Sequence, residues 1–302
     1  MRLQTTVLVI GILLLLSGFQ AVAWSNGGHM VIAAEAYRQL SPGLKEKVAE
    51  VLKAHPEYDR WIEEFRPDNP GLDVGTFVFM KASTWPDEIR RRHNEYDHPH
   101  WHYIDYPLRP TTFPMEPEPA PTDDALYGIM KSEAALADPK AAPELRAVYL
   151  SYLIHSIGDL HQPLHCASLF NNTYPGGDKG GNDFYVKPGA RGIKLHSLWD
   201  GLLGTSNKPH THLNYATEIE SRYPRNSLKE LKKAKTPREW SLESRFLAIE
   251  KAYLRGELKG STRAESAPEL PVGYTKAAKA VAERQAALAG YRLADEIQKY
   301  VR

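Results

Sequence analysis

The stretch from Leu153 to His165, LIHSIGDLHQPLH, constrains this chain more than any other. His155 and Asp159 lie four residues apart within it. In a helix that spacing stacks the two side chains on one face. Leu150, Leu153, Ile154 and Ile157 surround the pair, so the face turns inward. A carboxylate and an imidazole on the buried side of a helix require compensation, because an unpaired charge there is costly. Pro163 prevents a regular helix from running on to His165. That histidine is therefore expected just past the helix end, turned toward a different partner.

The rest of the chain reads as mostly helical. Apolar spacing predicts helices over 28–40, 42–54 and 76–92, the last interrupted or restarted near Pro86. Further helices are expected over 123–137, 143–161, 195–203, 212–223 and 237–254, and a long Ala-rich amphipathic helix over 274–301. Six prolines between Tyr106 and Pro121 predict an extended loop outside the core. Six glycines fall within 171–192, and 184–194 has room for a short hairpin. Residues 67–75 and 260–271 read as loop and polar connection. With no repeat and no shift in composition, the expectation is a mainly α chain with one domain over 24–302 and at most a short β-hairpin.

The first 23 residues stand apart. Arg2 precedes an apolar run from Val7 to Leu16, and Ala21-Val22-Ala23 has the A-x-A form of a cleavage site. This predicts a secretory signal peptide over 1–23, cut between Ala23 and Trp24, and an exported, periplasmic or extracellular protein. No later stretch is long and apolar enough to span a bilayer, so no stable membrane association is expected. Cutting there removes one of 38 basic residues and none of the 37 acidic ones, leaving 37 of each. A neutral chain argues against holding a polyanion by a broad basic face. Cys166 is the single cysteine, so an internal disulfide is impossible, and packing, metal or both must hold the fold.

Residues of metal-ligand type recur at intervals. Trp24 would carry a free amino group after cleavage, and His29 follows in WSNGGH. Asp87 lies in STWPDEIR, His102 in WHYID, and His196 and Asp200 in LHSLWD, again four apart. With His155, Asp159 and His165 these make nine candidate ligands. Each has an ordinary alternative: Asp87 as a helix cap, His102 as a packed core residue, His196 and Asp200 as a surface pair. Two His-x-x-x-Asp pairs plus His165 in one chain without disulfides favour metal. Nitrogen and carboxylate donors without thiolate suit zinc, and also occur around manganese or iron. The run Arg90-Arg91-Arg92 is either a solvated helix end or brings one arginine to the same site to grip a phosphate. His93, His98 and His100 lie in a polar stretch and are expected in solvent, His161 is out of register with His155, and His55, His210 and His212 sit near turns.

Taken together, WSNGGH, TWPDEIR, HYID, HSIGDLHQPLH and HSLWD, in this order, resemble the zinc-dependent single-strand nucleases of the mung bean nuclease type, the S-one/P-one nucleases. Bacterial zinc-dependent phospholipase C enzymes are relatives with the same metal plan. The likeness runs from Trp24 to about Leu203, and Gly290 to Ala294 is similar to the family's last helix. It implies a helical bundle around a trinuclear zinc site. Asp87, His102, His155 and Asp159 would hold one zinc; Trp24, His29 and Asp159 a second; His165, His196 and Asp200 a third. Asp159 would then bridge a close pair, and water activated on that pair would attack phosphorus. Arg90 would neutralise phosphoryl oxygens, so that Asp87, Arg90 and Asp159 form the implied catalytic set. Tyr103 and Asp105 match the family's base-binding positions, one by stacking and one by hydrogen bonding. The implied activity is hydrolysis of single-stranded DNA, RNA and 3′-nucleotides to 5′-phosphorylated products. The competing expectations are a phospholipase C, which would carry Glu where Asp200 stands, and a zinc-binding protein without catalysis. Cys166 lacks the disulfide partner that plant and mould members have, Asn171 opens a lone glycosylation sequon, and the proline loop has no counterpart in the family.

Overall fold

A computed structural model describes residues 24–66, 71–90, 95–109 and 123–301. The expected signal peptide, most of the proline loop, and Arg91, Arg92 and His93 lie outside the described residues. Helices α1 (Asn26–Gln39), α2 (Pro42–Leu52), α3 (Tyr58–Glu64) and α4 (Val74–Ile89) come first. After strand β1 (Pro107–Leu108) follow α5 (Ala125–Ala137) and α6 (Pro143–Leu160). Strands β2 (Ser168–Leu169), β3 (Tyr185–Val186) and β4 (Ile193–Lys194) precede α7 (Leu195–Asp200) and α8 (Pro209–Arg222). The chain closes with α9 (Glu230–Lys233), α10 (Pro237–Leu247) and α11 (Tyr274–Tyr300).

The chain is mainly α-helical, and local chemistry sets where its helices begin. Pro42 and Pro143 occupy first-turn positions of α2 and α6, where a missing N–H costs nothing. Asp73 and Asp124 cap α4 and α5 by accepting from the Thr76 and Tyr127 amides at 2.9 and 3.0 Å. Thr236 and Glu239 form a reciprocal capping box on α10. The core is built around α1 and α6. Every residue of α1 from Gly27 to Tyr37 is buried, and α1 packs on α4, α8, α11 and α6. On α6, Leu150, Leu153, Ile154, Ile157 and Leu160 are buried, each contributing roughly 1.5–3 kcal/mol by leaving water.

Several details depart from the sequence expectations. Pro86 sits inside α4 without ending it. Its ring removes the backbone hydrogen bond that would reach the Ala82 carbonyl, and the adjacent Ser83 carbonyl accepts from His155 Nδ1 at 2.8 Å. The hairpin is present as β3–β4, with Tyr185 opposite Lys194. It is accompanied by a second pair that the expectation of at most one hairpin excluded: Pro107–Leu108 runs parallel to Ser168–Leu169. The start of the proline loop is thus tied to the turn beyond His165. The helix expected over 237–254 stops at Leu247, giving way to a π turn and then to Leu254 and Arg255 at positive φ of 49° and 57°. Among the described residues no helix is long and apolar enough to cross a membrane.

Candidate metal centre

The candidate ligands arrive on separate elements and meet at the C-terminal half of α6. His29 comes from α1, Asp87 from α4, His102 from the segment before β1, and His155 and Asp159 from α6. A 3-10 turn, Pro163–Cys166, ends the helix as Pro163 requires and carries His165. His196 and Asp200 come from α7. All eight side chains are buried.

Asp159 is the centre. Its Oδ1 lies 3.3 Å from His29 Nε2, and its Oδ2 lies 3.0 Å from His155 Nε2 and 3.3 Å from His102 Nδ1. Asp87 Oδ1 stands 3.5 Å from His102 Nδ1 and 3.9 Å from His155 Nε2. The His29 and His155 rings stack with centroids 4.0 Å apart. The closeness to α1 depends on Gly158, since a Cβ there would stand 3.1 Å from His29 Nδ1. Trp24 is held at the same turn of α6, its indole N–H donating to the Gly158 carbonyl at 2.9 Å. On the other side of Asp159, His196 Nε2 lies 3.5 Å from Asp200 Oδ2, and His165 Nε2 lies 4.0 Å from Asp200 Oδ1. Among the described residues, three groups bring ligand atoms within 4.8 Å of one another: His29, Asp87 and His155; His102, His155 and Asp159; His165, His196 and Asp200. His29 therefore reaches toward Asp87 as well as Asp159, so the two groups around α6 interpenetrate.

Backbone carbonyls fix the ring orientations. Nδ1 of His155, His165 and His196 donates to the carbonyls of Ser83, His102 and Gly180 at 2.8, 2.6 and 2.7 Å. Each leaves Nε2 turned to a carboxylate, the arrangement that orients metal-ligating histidines. The sequence holds no signal for these acceptors, because they come from distant segments. Gln162 was also missed; its side chain donates to Asp200 at 2.7 Å.

Burial shapes the electrostatics. It lowers His29 to about 4 and His102 and His196 to about 3, so these imidazoles are neutral at pH 7 with lone pairs to offer. Burial pulls His155 the same way, but the charges of Asp159 and Asp87 prevail and raise it to about 9. Burial opposes ionisation of Asp159, yet the neighbouring His155 and His165 charges hold its carboxyl well below the ordinary range. Burial pushes Asp200 up, against the hydrogen bond from Gln162. Both oxygens of Asp159, both ring nitrogens of His29, and Nε2 of His102 and His165 are buried without a well-aligned hydrogen bond. Six buried polar atoms so poorly aligned at one locus are a cost that a bound ion would relieve. The donor set of imidazole and carboxylate suits zinc.

At the rim, Arg90 Nη1 stands 3.8 Å from Asp87 Oδ1. Tyr103 is half-buried and Asp105 exposed, one and three residues after His102. The Ile104 amide donates to the His165 carbonyl at 2.7 Å and ties that segment to the 3-10 turn. Of the histidines expected in solvent, His98 is half-buried and stacks on Trp101 at 3.7 Å. His161 is buried, takes a hydrogen bond from Arg292 at 2.8 Å, and belongs to none of the three groups.

A family model described as S1/P1 Nuclease matches residues 24–302. Among curated proteins, Endonuclease 1 of Arabidopsis thaliana is 26% identical over 203 residues, covering 64% of this chain and 58% of that protein. Endonuclease 4 of the same plant is 26% identical over 204 residues, 61% of this chain and 56% of its own length. Endonuclease 2 is 24% identical over 211 residues, with 66% and 62% covered. The chain thus spans little more than half the length of the curated relatives it matches.

Proposed function

The chain belongs to the S1/P1 nuclease family, and from that premise we propose that it is an exported, zinc-dependent nuclease hydrolysing single-stranded DNA and RNA, and 3′-nucleotides, to 5′-phosphorylated products. The observation that carries the reading is Asp159. It is a fully buried carboxylate with imidazoles against both oxygens, His29 at 3.3 Å from Oδ1 and His155 at 3.0 Å from Oδ2. A bridging ligand needs that disposition.

Three zinc ions are proposed. Asp87, His102, His155 and Asp159 would hold the first, and His29, Asp159 and the amino group of Trp24 the second. His165, His196 and Asp200 would hold the third. Zinc bound there supplies Lewis-acid polarisation of the phosphoryl group and acidifies water. The chain's own residues do the rest. Asp159 sits on a rigid helix and keeps the first two positions in fixed relation. Arg90 faces the site's rim and is assigned to neutralise phosphoryl oxygens as charge builds in the transition state. Tyr103 offers a ring face for a base, with Asp105 beside it to accept a base N–H. Stacking on a single ring needs an unpaired base, which accounts for a single-strand preference.

The test is incubation of the chain beginning at Trp24 with single-stranded DNA, RNA and phosphatidylcholine, with and without chelator. Chelator-sensitive release of 5′-phosphorylated nucleotides is expected from both nucleic acids. Release of phosphocholine with none from either nucleic acid would sink the proposal.

A further inference from the structure

Gln162 lies between the helix that carries Asp159 and the turn that carries His165, and it is fully buried. Its side chain makes two hydrogen bonds to two different parts of the site. Oε1 accepts from the Leu164 amide at 2.6 Å, and Nε2 donates to Asp200 Oδ1 at 2.7 Å. The orientation of the amide is not arbitrary. The Leu164 N–H can only donate, so the oxygen must face it, and the NH2 group is thereby turned to the carboxylate.

The two contacts act on two ligands of one group. Through Leu164, Gln162 caps the 3-10 turn Pro163–Cys166 and sets where His165 leaves the chain. Through Nε2 it occupies Oδ1 of Asp200, while Oδ2 of the same carboxylate stands 3.5 Å from His196 Nε2. Asp200 comes from α7, 38 residues further along, so this hydrogen bond ties the end of α6 to α7, beside the longer approach of His165 Nε2 to Asp200 Oδ1 at 4.0 Å. The turn behind Gln162 is held independently. The His161 carbonyl accepts from Gln285 at 3.3 Å and its Nε2 from Arg292 at 2.8 Å, both residues on α11. With its backbone fixed from behind, Gln162 can transmit position forward to Asp200.

We propose that Gln162 is the positioning residue of the His165–His196–Asp200 group: its amide fixes the rotamer of Asp200 and the exit of His165, and that group retains its cation selectively because of it. The inference rests on the metal reading above. Glutamate in the same place keeps the acceptor for Leu164 but sets a carboxylate against a carboxylate. Methionine keeps the volume and removes both bonds. Partners of this kind commonly change metal affinity by about 10–100-fold.

The experiment uses the full chain from Trp24, loaded with zinc and exposed to rising chelator, with bound ions counted by native mass spectrometry and located by anomalous scattering at the zinc edge. For Gln162→Glu and Gln162→Met, the ion at His165, His196 and Asp200 should leave at about one-tenth to one-hundredth of the chelator strength needed in the wild type. Ions around Asp159 should leave at the wild-type strength. Ser244→Ala serves as control: it removes a buried hydrogen bond to the Leu160 carbonyl at the same helix end without touching Asp200. A folded Gln162→Glu or Gln162→Met protein holding three ions at wild-type affinity overturns the assignment. So does equal loss in Ser244→Ala, which would mean that any loosening of the turn suffices. A wild type that never holds an ion at this group overturns the metal reading itself, a result distinguishable from the other two.

Discussion

The helix that brings His29 to the site is fixed against α11 through a buried acid, and that contact has a measurable pH signature. Glu35 is 1% exposed, and Gly290 of α11 exists to admit it, since a Cβ there would stand 2.2 Å from Glu35 Cγ. Burial and the nearby Glu220 raise its pKa from 4.5 to about 7, with Arg38 opposing from 3.2 Å. Tyr291 on α11 faces it as well. The folded protein thus holds a proton that the unfolded chain releases more readily. Stability from this site is complete below pH 4.5 and lost as pH rises through 7. A shift of that size corresponds to about 3 kcal/mol lost at pH 8 and about 1 kcal/mol already lost at pH 5. Glutamine cannot ionise, so Glu35→Gln should be more favourable at pH 8 than at pH 5 by about 2 kcal/mol. The packing cost of the amide is common to both conditions and cancels in that difference. Denaturant unfolding of wild type and variant at the two pH values, each at saturating zinc and followed by tryptophan fluorescence, reads it directly. Equal stability differences at both pH values would refute the reasoning.

Other outcomes follow from the metal centre. Asp159→Asn should lose the ions on both sides of the carboxylate and more than about 100-fold in turnover, as loss of a main electrostatic element does; full zinc content by elemental analysis would refute the bridge. A chain with one residue added before Trp24 should hold one zinc fewer than the chain beginning at Trp24, because an amide nitrogen is a poor ligand; equal content removes the amino group from the ligand set. Tyr103→Ala should weaken single-strand binding by about 1–3 kcal/mol in a fluorescence titration, with zinc content unchanged; undiminished binding would show that the base sits elsewhere. Stripping zinc should abolish binding of a short oligonucleotide as well as its cleavage, since the stripped wall turns the Asp159 carboxylate toward phosphate with no cation to offset it; an oligonucleotide held equally well by the stripped protein would contradict the proposed phosphate grip.

What the sequence made legible was whatever repeats at helical spacing. The stripe of α6 and the Ala-rich face of α11 are periodic over many turns, and the pairs His155–Asp159 and His196–Asp200 share the spacing that puts side chains on one face. Some short elements carry no such pattern. Helix α3, YDRWIEE, buries only Trp61 and has no stripe to find. The parallel pair of Pro107–Leu108 with Ser168–Leu169 is two residues long and joins segments 61 apart. Pro86 argued for a break, yet α4 runs through it, although a proline cannot donate to the helix ladder. Gln162 gave no warning because its meaning depends on Asp200, which only the folded chain brings near.

The distribution of ligands over the chain bears on stability as much as on chemistry. His29, Asp87, His102, His155 and His196 belong to five different segments, four of them helices and the fifth the turn before β1. The chain has one cysteine, buried and free, so no covalent link joins these segments. In the proposed state, cations would do that joining, and the free energy of binding them would count toward folding, because the unfolded chain offers no preformed site. The same cations would place positive charge where phosphate must approach, on a chain whose 38 basic and 37 acidic residues give it almost no net attraction of its own. Fold stability and substrate recognition would then rest on one set of ions, and removing them should weaken both together.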